Sequence, residues 1–201
     1  QRVTIEGAAN HAGTTPTALR HDAGLAAAKV NVFLRQLVEK SGGVATVGCI
    51  EFKPNAINVI PSKAVFTVDL RNPDKEKLDN DEKILAAYLK DLAKEDDVKI
   101  STEHLTEFDP VPFDEGIVEK VEKAAKAHGL SVRRITSGAG QDAQMIARIC
   151  PTAMIFVPSV KGISHNPEEY TKDEDVLAGA GVFLDVVMDM AVVGVPAARN
   201  N

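Results

Sequence analysis

Only two cysteines, Cys49 and Cys150, occur in 201 residues, and they stand far apart. That spacing excludes a disulfide framework and a cysteine-built zinc site, and it fits a reducing cytoplasm. Positive charge is also scarce, with 23 Lys plus Arg against 29 Asp plus Glu and a net charge of -6. No broad basic surface is therefore available for nucleic acid or an anionic membrane, and small-molecule or protein partners are expected. No apolar run approaches the length of a membrane span, and no signal peptide opens the chain, so a cytoplasmic protein is expected. An initial Met is missing as well. Gln1 to Glu6 already reads as a strand, and the chain is expected to start inside a larger protein.

What is present is a 44% hydrophobic fraction, ample for ordinary cores, arranged in two textures. In the first, Val3 to Ala8 reads as a strand, followed by the polar loop Asn10-His11-Ala12-Gly13-Thr14-Thr15-Pro16. Ala23, Ala26, Ala27, Val30, Leu34, Leu37 and Val38 then recur at helical spacing before Gly42-Gly43. Val44 to Phe52 is β-rich. From Lys63 to Arg71 the residues alternate, with Ala64, Phe66, Val68 and Leu70 on one side and Asp69 and Arg71 on the other. Asn72-Pro73-Asp74 opens a second helix running to about Glu95, with Leu78, Leu85, Tyr88, Leu89 and Leu92 apolar and its charges on a solvated face. Val98 to Thr102 is another strand. The order β-α-β-β-α-β predicts a ferredoxin-like α+β sandwich over residues 1–110, one sheet face carrying both helices.

After the proline-marked stretch Phe108 to Phe113 the texture changes, and residues 111–201 read as an incomplete α/β segment. Its expected elements are a helix through Ile117, Val121 and Ala125, a strand at Val132 to Ile135, and a helix from Gln141-Asp142. A buried strand at Ala153 to Val157 follows, and then a helix opened by the capping pattern Thr171-Lys172-Asp173-Glu174. That last helix is expected to bury Val176, Leu177, Ala180, Phe183, Leu184, Val187 and Ala191.

Two loops can carry chemistry. Ser137-Gly138-Ala139-Gly140 lacks the Lys-Ser or Lys-Thr of a phosphate-binding loop and the third glycine of a dinucleotide fingerprint, so it fits close approach to another polar ligand. Gln141 can offer an amide to a substrate carbonyl or simply cap the turn. His165 sits in Ser164-His165-Asn166-Pro167-Glu168-Glu169, on a loop after an expected strand, where sheet-based enzymes place chemistry. His21, His104 and His128 read as structural. One imidazole is too few for a zinc site.

Five stretches in order resemble the binuclear-metal amidohydrolases of the M20 peptidase superfamily, in the branch of N-carbamoyl-L-amino acid hydrolases, β-ureidopropionases and allantoate amidohydrolases. They are Gly7 to Pro16, Pro54 to Pro61, Val68-Asp69-Leu70-Arg71, Ser137 to Ala143, and Phe156 to Glu168. The resemblance implies that residues 1–110 are the family's lid and dimerisation domain and residues 111–201 the closing part of its catalytic domain. It implies His11 as a catalytic lid histidine stabilising an oxyanion across a homodimer, and His165 as the last metal ligand. Asn58 and Arg71 then hold the substrate's carboxylate, with Gly140 and Gln141 at the scissile group, where family members commonly have His in place of Gln141. Also implied are two divalent metal ions in the full-length parent, zinc first and manganese, nickel or cobalt as alternatives, activating water to cleave a carbamoyl or amide C–N bond. The family's other ligands and catalytic glutamate precede the lid, so this chain alone is expected to retain no metal and no activity. The rival readings are an M20 peptidase or aminoacylase, and a non-catalytic dimerisation or binding module.

Overall fold

The computed structural model describes residues 1–193, and the end of the second expected domain beyond them lies outside the described residues. The chain divides into two compact units, Gln1–Pro110 and the part from Val111 onward.

In the first unit, β1 (Arg2–Glu6) is followed by α1 (Ala23–Ser41), β2 (Val44–Thr46), β3 (Ile50–Lys53), β4 (Lys63–Thr67), β5 (Asp69–Arg71), α2 (Lys75–Glu95) and β6 (Lys99–Glu103). Four strands form an antiparallel sheet in the order β3-β4-β1-β6, with Val3 opposite Phe66 and Ile5 opposite both Ala64 and Ile100. Because side chains alternate across a strand, this register gathers Val3, Ile5, Ala64 and Phe66 on one face. Against that face pack Ala26, Ala27, Val30, Leu34 and Leu37 of α1 and Leu85, Leu89 and Leu92 of α2. Burying a side chain such as Phe66 contributes roughly 1.5–3 kcal/mol. Arg2, Thr4 and Glu6 lie on the opposite face, where Arg2 pairs with Glu103 and Lys63 with Glu6.

Both helices start on a carboxylate. Asp22 accepts from the backbone N–H of Gly24 and Leu25, and Asp74 from Glu76 and Lys77, which satisfies donors that have no partner inside the helix. Gly42 ends α1 at φ 82°, a conformation that favours glycine. All seven apolar positions expected of α1 are buried. On α2 the expected solvated face has an exception, since Asp81 is only 1% exposed and its Oδ2 has no hydrogen-bond partner among the described residues.

The expected strand from Lys63 to Arg71 is two strands. At Val68 the backbone exchanges hydrogen bonds with Gln1, and beyond it Asp69–Arg71 leaves the main sheet to pair with β2, Val44 opposite Arg71. The β-rich run from Val44 to Phe52 divides for the same reason, β2 serving the small sheet and β3 the large one.

The second unit contains α3 (Glu115–Ala127), α4 (Asp142–Ile146) and α5 (Asp173–Val193). The strands expected at Val132 to Ile135 and Ala153 to Val157 do not form among the described residues, and Phe156, Val157 and Ile135 are exposed. A strand needs a neighbour for its backbone groups, and propensity alone does not supply one. Helix α5 begins at Asp173, where the carbonyl of Lys172 receives the first helical N–H groups, so Thr171 stands outside the cap position. The face it was expected to bury is also corrected: Val176, Leu177, Ala180, Phe183, Leu184, Val187 and Ala191 are exposed, and Val182 and Val186 are the buried ones. Helix α3 meets α5 through a hydrogen bond between His128 Nε2 and the Asp185 carboxylate at 2.8 Å and an ion pair of Lys120 with Asp189. No helix among the described residues is long and apolar enough to cross a membrane.

Candidate active site

Beyond β1 the chain passes through Gly7, where an added Cβ would lie 2.0 Å from the carbonyl oxygen of His21. Only glycine allows that approach. Around it the Gly7 N–H donates to the Ser62 carbonyl at 2.8 Å, Ala8 to His21 at 2.9 Å and Ala23 to Pro61 at 3.1 Å. These bonds tie the end of β1, the start of α1 and the segment before β4 at one place, from which the His11 loop projects.

The loop then pairs with the Asn58 segment. His11 and Val59 form an isolated antiparallel bridge, with Ala12 N–H donating to the Asn58 carbonyl at 2.9 Å and Ile60 N–H to Asn10 at 2.8 Å. Asn58 is exposed beside His11. The His11 ring has a defined state, because its Nδ1 accepts from the backbone N–H of Gly13 at 3.0 Å and of Thr14 at 3.2 Å. An Nδ1 that accepts twice carries no proton, so the proton of the neutral ring is on Nε2 and that edge is a donor. The Thr15 hydroxyl closes the turn on the His11 carbonyl at 2.7 Å.

Arg71 ends β5. Asp69, two residues back on the same side of the strand, accepts from its Nε at 2.8 Å and its Nη2 at 2.5 Å. The Arg71 guanidinium, chiefly through these hydrogen bonds, holds the Asp69 carboxyl below the usual carboxylate range, and the carboxylate raises the guanidinium in turn. A planar fork of donors here binds a planar carboxylate, which is the chemistry a substrate carboxylate would require. Close packing also sets its position: a Cβ on Gly43 would stand 2.6 Å from the Arg71 carbonyl oxygen.

Gly140, Gln141 and His165 belong to the second unit. Gln141 precedes α4, with its N–H toward the Gln144 Oε1 at 3.4 Å and its own side chain exposed. Among the described residues, an added Cβ at Gly138 or Gly140 would meet no close contact. His165 adopts φ 56°, an unusual conformation for a side-chain-bearing residue, and its N–H donates to the Glu169 carboxylate at 2.8 Å. The bond from Val160 N–H to the Tyr170 carbonyl, 2.8 Å, closes this loop at its base. Among the described residues no three His, Cys, Asp or Glu side chains form a group that could hold a metal ion. One imidazole does not amount to a binuclear site.

The family model for peptidase family M20/M25/M40 matches residues 5–189, which takes in the His11, Asn58, Arg71, Gln141 and His165 stretches. The chain belongs to the M20/M25/M40 family. This M20 chain is 40% identical over 190 residues to an N-carbamoyl-L-amino-acid amidohydrolase of Rhizobium meliloti, covering 94% of the chain and 46% of the relative. An allantoate amidohydrolase of Escherichia coli K12 is 37% identical over 94% of the chain and 46% of its own length. Among solved structures, a hydantoinase/carbamoylase family amidase from Burkholderia multivorans superposes with a TM-score of 0.90 at 38% identity, over 94% of this chain and 47% of that one. The M20 chain thus spans about half the length of the curated relatives it matches.

Arg20 is the residue that sequence reasoning passed over. Arg20 donates to the Ala12 and Thr15 carbonyls. Its only sequence signal is an arginine shortly after a Thr-Pro turn and two residues before a helix cap.

Proposed function

We propose that this chain is the C-terminal portion of a metal-dependent amidohydrolase that cleaves a carbamoyl or related amide C–N bond on a small carboxylate-bearing substrate. The observation that carries the reading is the His11 loop, whose ring presents Nε2–H outward as a fixed donor, the state needed to stabilise a developing oxyanion. Arg71 and Asn58 bind the substrate carboxylate, Gly140 and Gln141 approach the scissile group, and His165 supplies one metal ligand. Two divalent ions, zinc first, belong to the full-length protein, whose other ligands come from outside this chain. The unit Gln1–Pro110 serves as a ferredoxin-like lid and homodimerisation domain, and the second unit closes the catalytic domain. The bare apolar face of α5 supports this reading, since Phe183, Leu184 and Met188 fit packing against a further layer of that domain. The free, exposed Cys49 and Cys150 fit a cytoplasmic enzyme. Substrates of the N-carbamoyl amino acid, ureido acid or allantoate kind are expected.

The test is hydrolysis of N-carbamoyl-L-amino acids and allantoate by the metal-loaded full-length protein. Arg71→Ala should raise KM with little change in kcat, and His11→Ala should lower kcat roughly 100-fold, as loss of an oxyanion donor does. A full-length protein that hydrolyses only peptides or acyl-amino acids overturns the substrate assignment.

A further inference from the structure

We infer that Arg20 is a positioning residue for His11, acting through the Ala12–Gly13 peptide to fix which ring nitrogen carries the proton. The inference rests on the reading that His11 donates from Nε2. Arg20 Nη2 donates to the Ala12 carbonyl at 2.7 Å, and its Nε to the Thr15 carbonyl at 3.0 Å. The carbonyl of Ala12 and the N–H of Gly13 are two ends of one planar unit. Holding the oxygen with a charged donor therefore aims the opposite N–H, and that N–H is the one donating to His11 Nδ1 at 3.0 Å. Polarising the carbonyl also strengthens its N–H as a donor, as in any chain of hydrogen bonds. The second arm of the guanidinium holds the far side of the turn, where Thr15 N–H and hydroxyl both return to the His11 carbonyl. Arg20 is half-buried, and its Nε and Nη2 both donate to the backbone of this loop.

A planar fork reaches two carbonyls at once, which an ammonium does less well. The loop would keep its bridge to Asn58 and Val59 without Arg20, since those bonds are backbone to backbone. What it would lose is the orientation of the Ala12–Gly13 peptide. Arg20→Ala should then leave the turn in place but let the His11 ring exchange between tautomers.

The experiment uses the full-length enzyme labelled with 15N-histidine, N-carbamoyl-L-amino acid as substrate, and the variants Arg20→Ala, Arg20→Lys, His11→Ala and the Arg20→Ala/His11→Ala double variant. In the parent, His11 should show Nε2 protonated and Nδ1 bare in long-range 15N spectra. Arg20→Ala should give a mixture of the two forms and a kcat lower by about tenfold or more, part of the 100-fold scale of a lost oxyanion donor. KM should stay within about twofold, because the ground-state contacts are untouched. In the His11→Ala background the Arg20→Ala change should cost nothing further in kcat, as expected when one residue acts only through the other. Arg20→Lys should fall between, and it carries the same comparison if Arg20→Ala does not fold. An unchanged tautomer, or a loss that adds to that of His11→Ala, overturns the inference. If His11→Ala itself leaves kcat unchanged, the proposed role of His11 fails first, a result that the spectra of the Arg20 variants do not mimic.

Discussion

Gly7→Ala would place a methyl group 2.0 Å from the His21 carbonyl oxygen and 2.8 Å from its carbon, both of them main chain. No rotamer relieves such a contact, so either β1 or the start of α1 has to move. The oxygen it meets accepts the Ala8 N–H at 2.9 Å, and the flanking bonds from Gly7 to Ser62 and Ala23 to Pro61 share the same strut. Overpacking costs about 1–3 kcal/mol and the loss of one buried backbone bond about 1 kcal/mol more, so a destabilisation of roughly 2–4 kcal/mol is expected. At about 2–4 °C per kcal/mol for a chain of this size, the melting temperature should fall by roughly 4–16 °C. Hydrogen exchange should quicken first at the amides of Ala8 and Ala23, and then at Ala12, where the displaced loop meets Asn58. The control is Gly48→Ala, where an added Cβ meets nothing within 4 Å and the change should stay within about 0.5 kcal/mol. If Gly7→Ala melts with Gly48→Ala and the parent, the close approach does not organise the loop and the argument is wrong.

Phe66→Ala, at a side chain 1% exposed in the core, should cost about 3–5 kcal/mol in denaturant unfolding, whereas Ile57→Ala on the fully exposed loop beside Asn58 should be nearly neutral. Removing the α1 cap with Asp22→Ala should cost about 0.5–2 kcal/mol, and Asp22→Asn should recover most of it. Because the folded Asp69 carboxyl lies below its unfolded value of about 3.9, its pairing with Arg71 stabilises the fold above that pH and is lost as pH falls through the folded value. The pair is half-exposed, so screening limits it to about 0–1 kcal/mol. A melting-temperature gap between the parent and Asp69→Asn should accordingly close in acid, and a gap constant from pH 7 to 2 contradicts that account.

Much of the first unit was legible because its signals are local. The apolar stripe of α1 names the seven positions it buries, and Asp22 and Asp74 announce the helix starts because a carboxylate is the group that bare N–H donors need. The alternation from Ala64 to Arg71 assigns faces even across the break at Val68, since side-chain alternation continues through a change of partner strand. That break is another matter. Whether Asp69–Arg71 pairs with β1 or with β2 depends on where distant strands lie.

In the second unit the same local signals mislead in a particular way. The residues from Ala153 to Val157 have the composition of a buried strand, but a strand is a relation between two segments, and none of the described residues supplies the other. For α5 the apolar pattern is nearly continuous, so it does not say which face is covered. In the fold Val182 and Val186 are covered, while Phe183 and Leu184 are bare.

The sequence by itself determined the family, through five short stretches in order, and determined both helices and the first and last strands of the first unit, because helix periodicity, strand alternation and caps act over a few residues. Tertiary structure alone decided the ring state of His11. Its partner segment at Asn58 is distant in sequence, its ring state depends on two backbone N–H groups turned back onto Nδ1, and the arginine aiming one of them acts through a carbonyl on the far side of a peptide plane. Those relations are set by where the folded chain returns on itself, which no local pattern of residue types encodes.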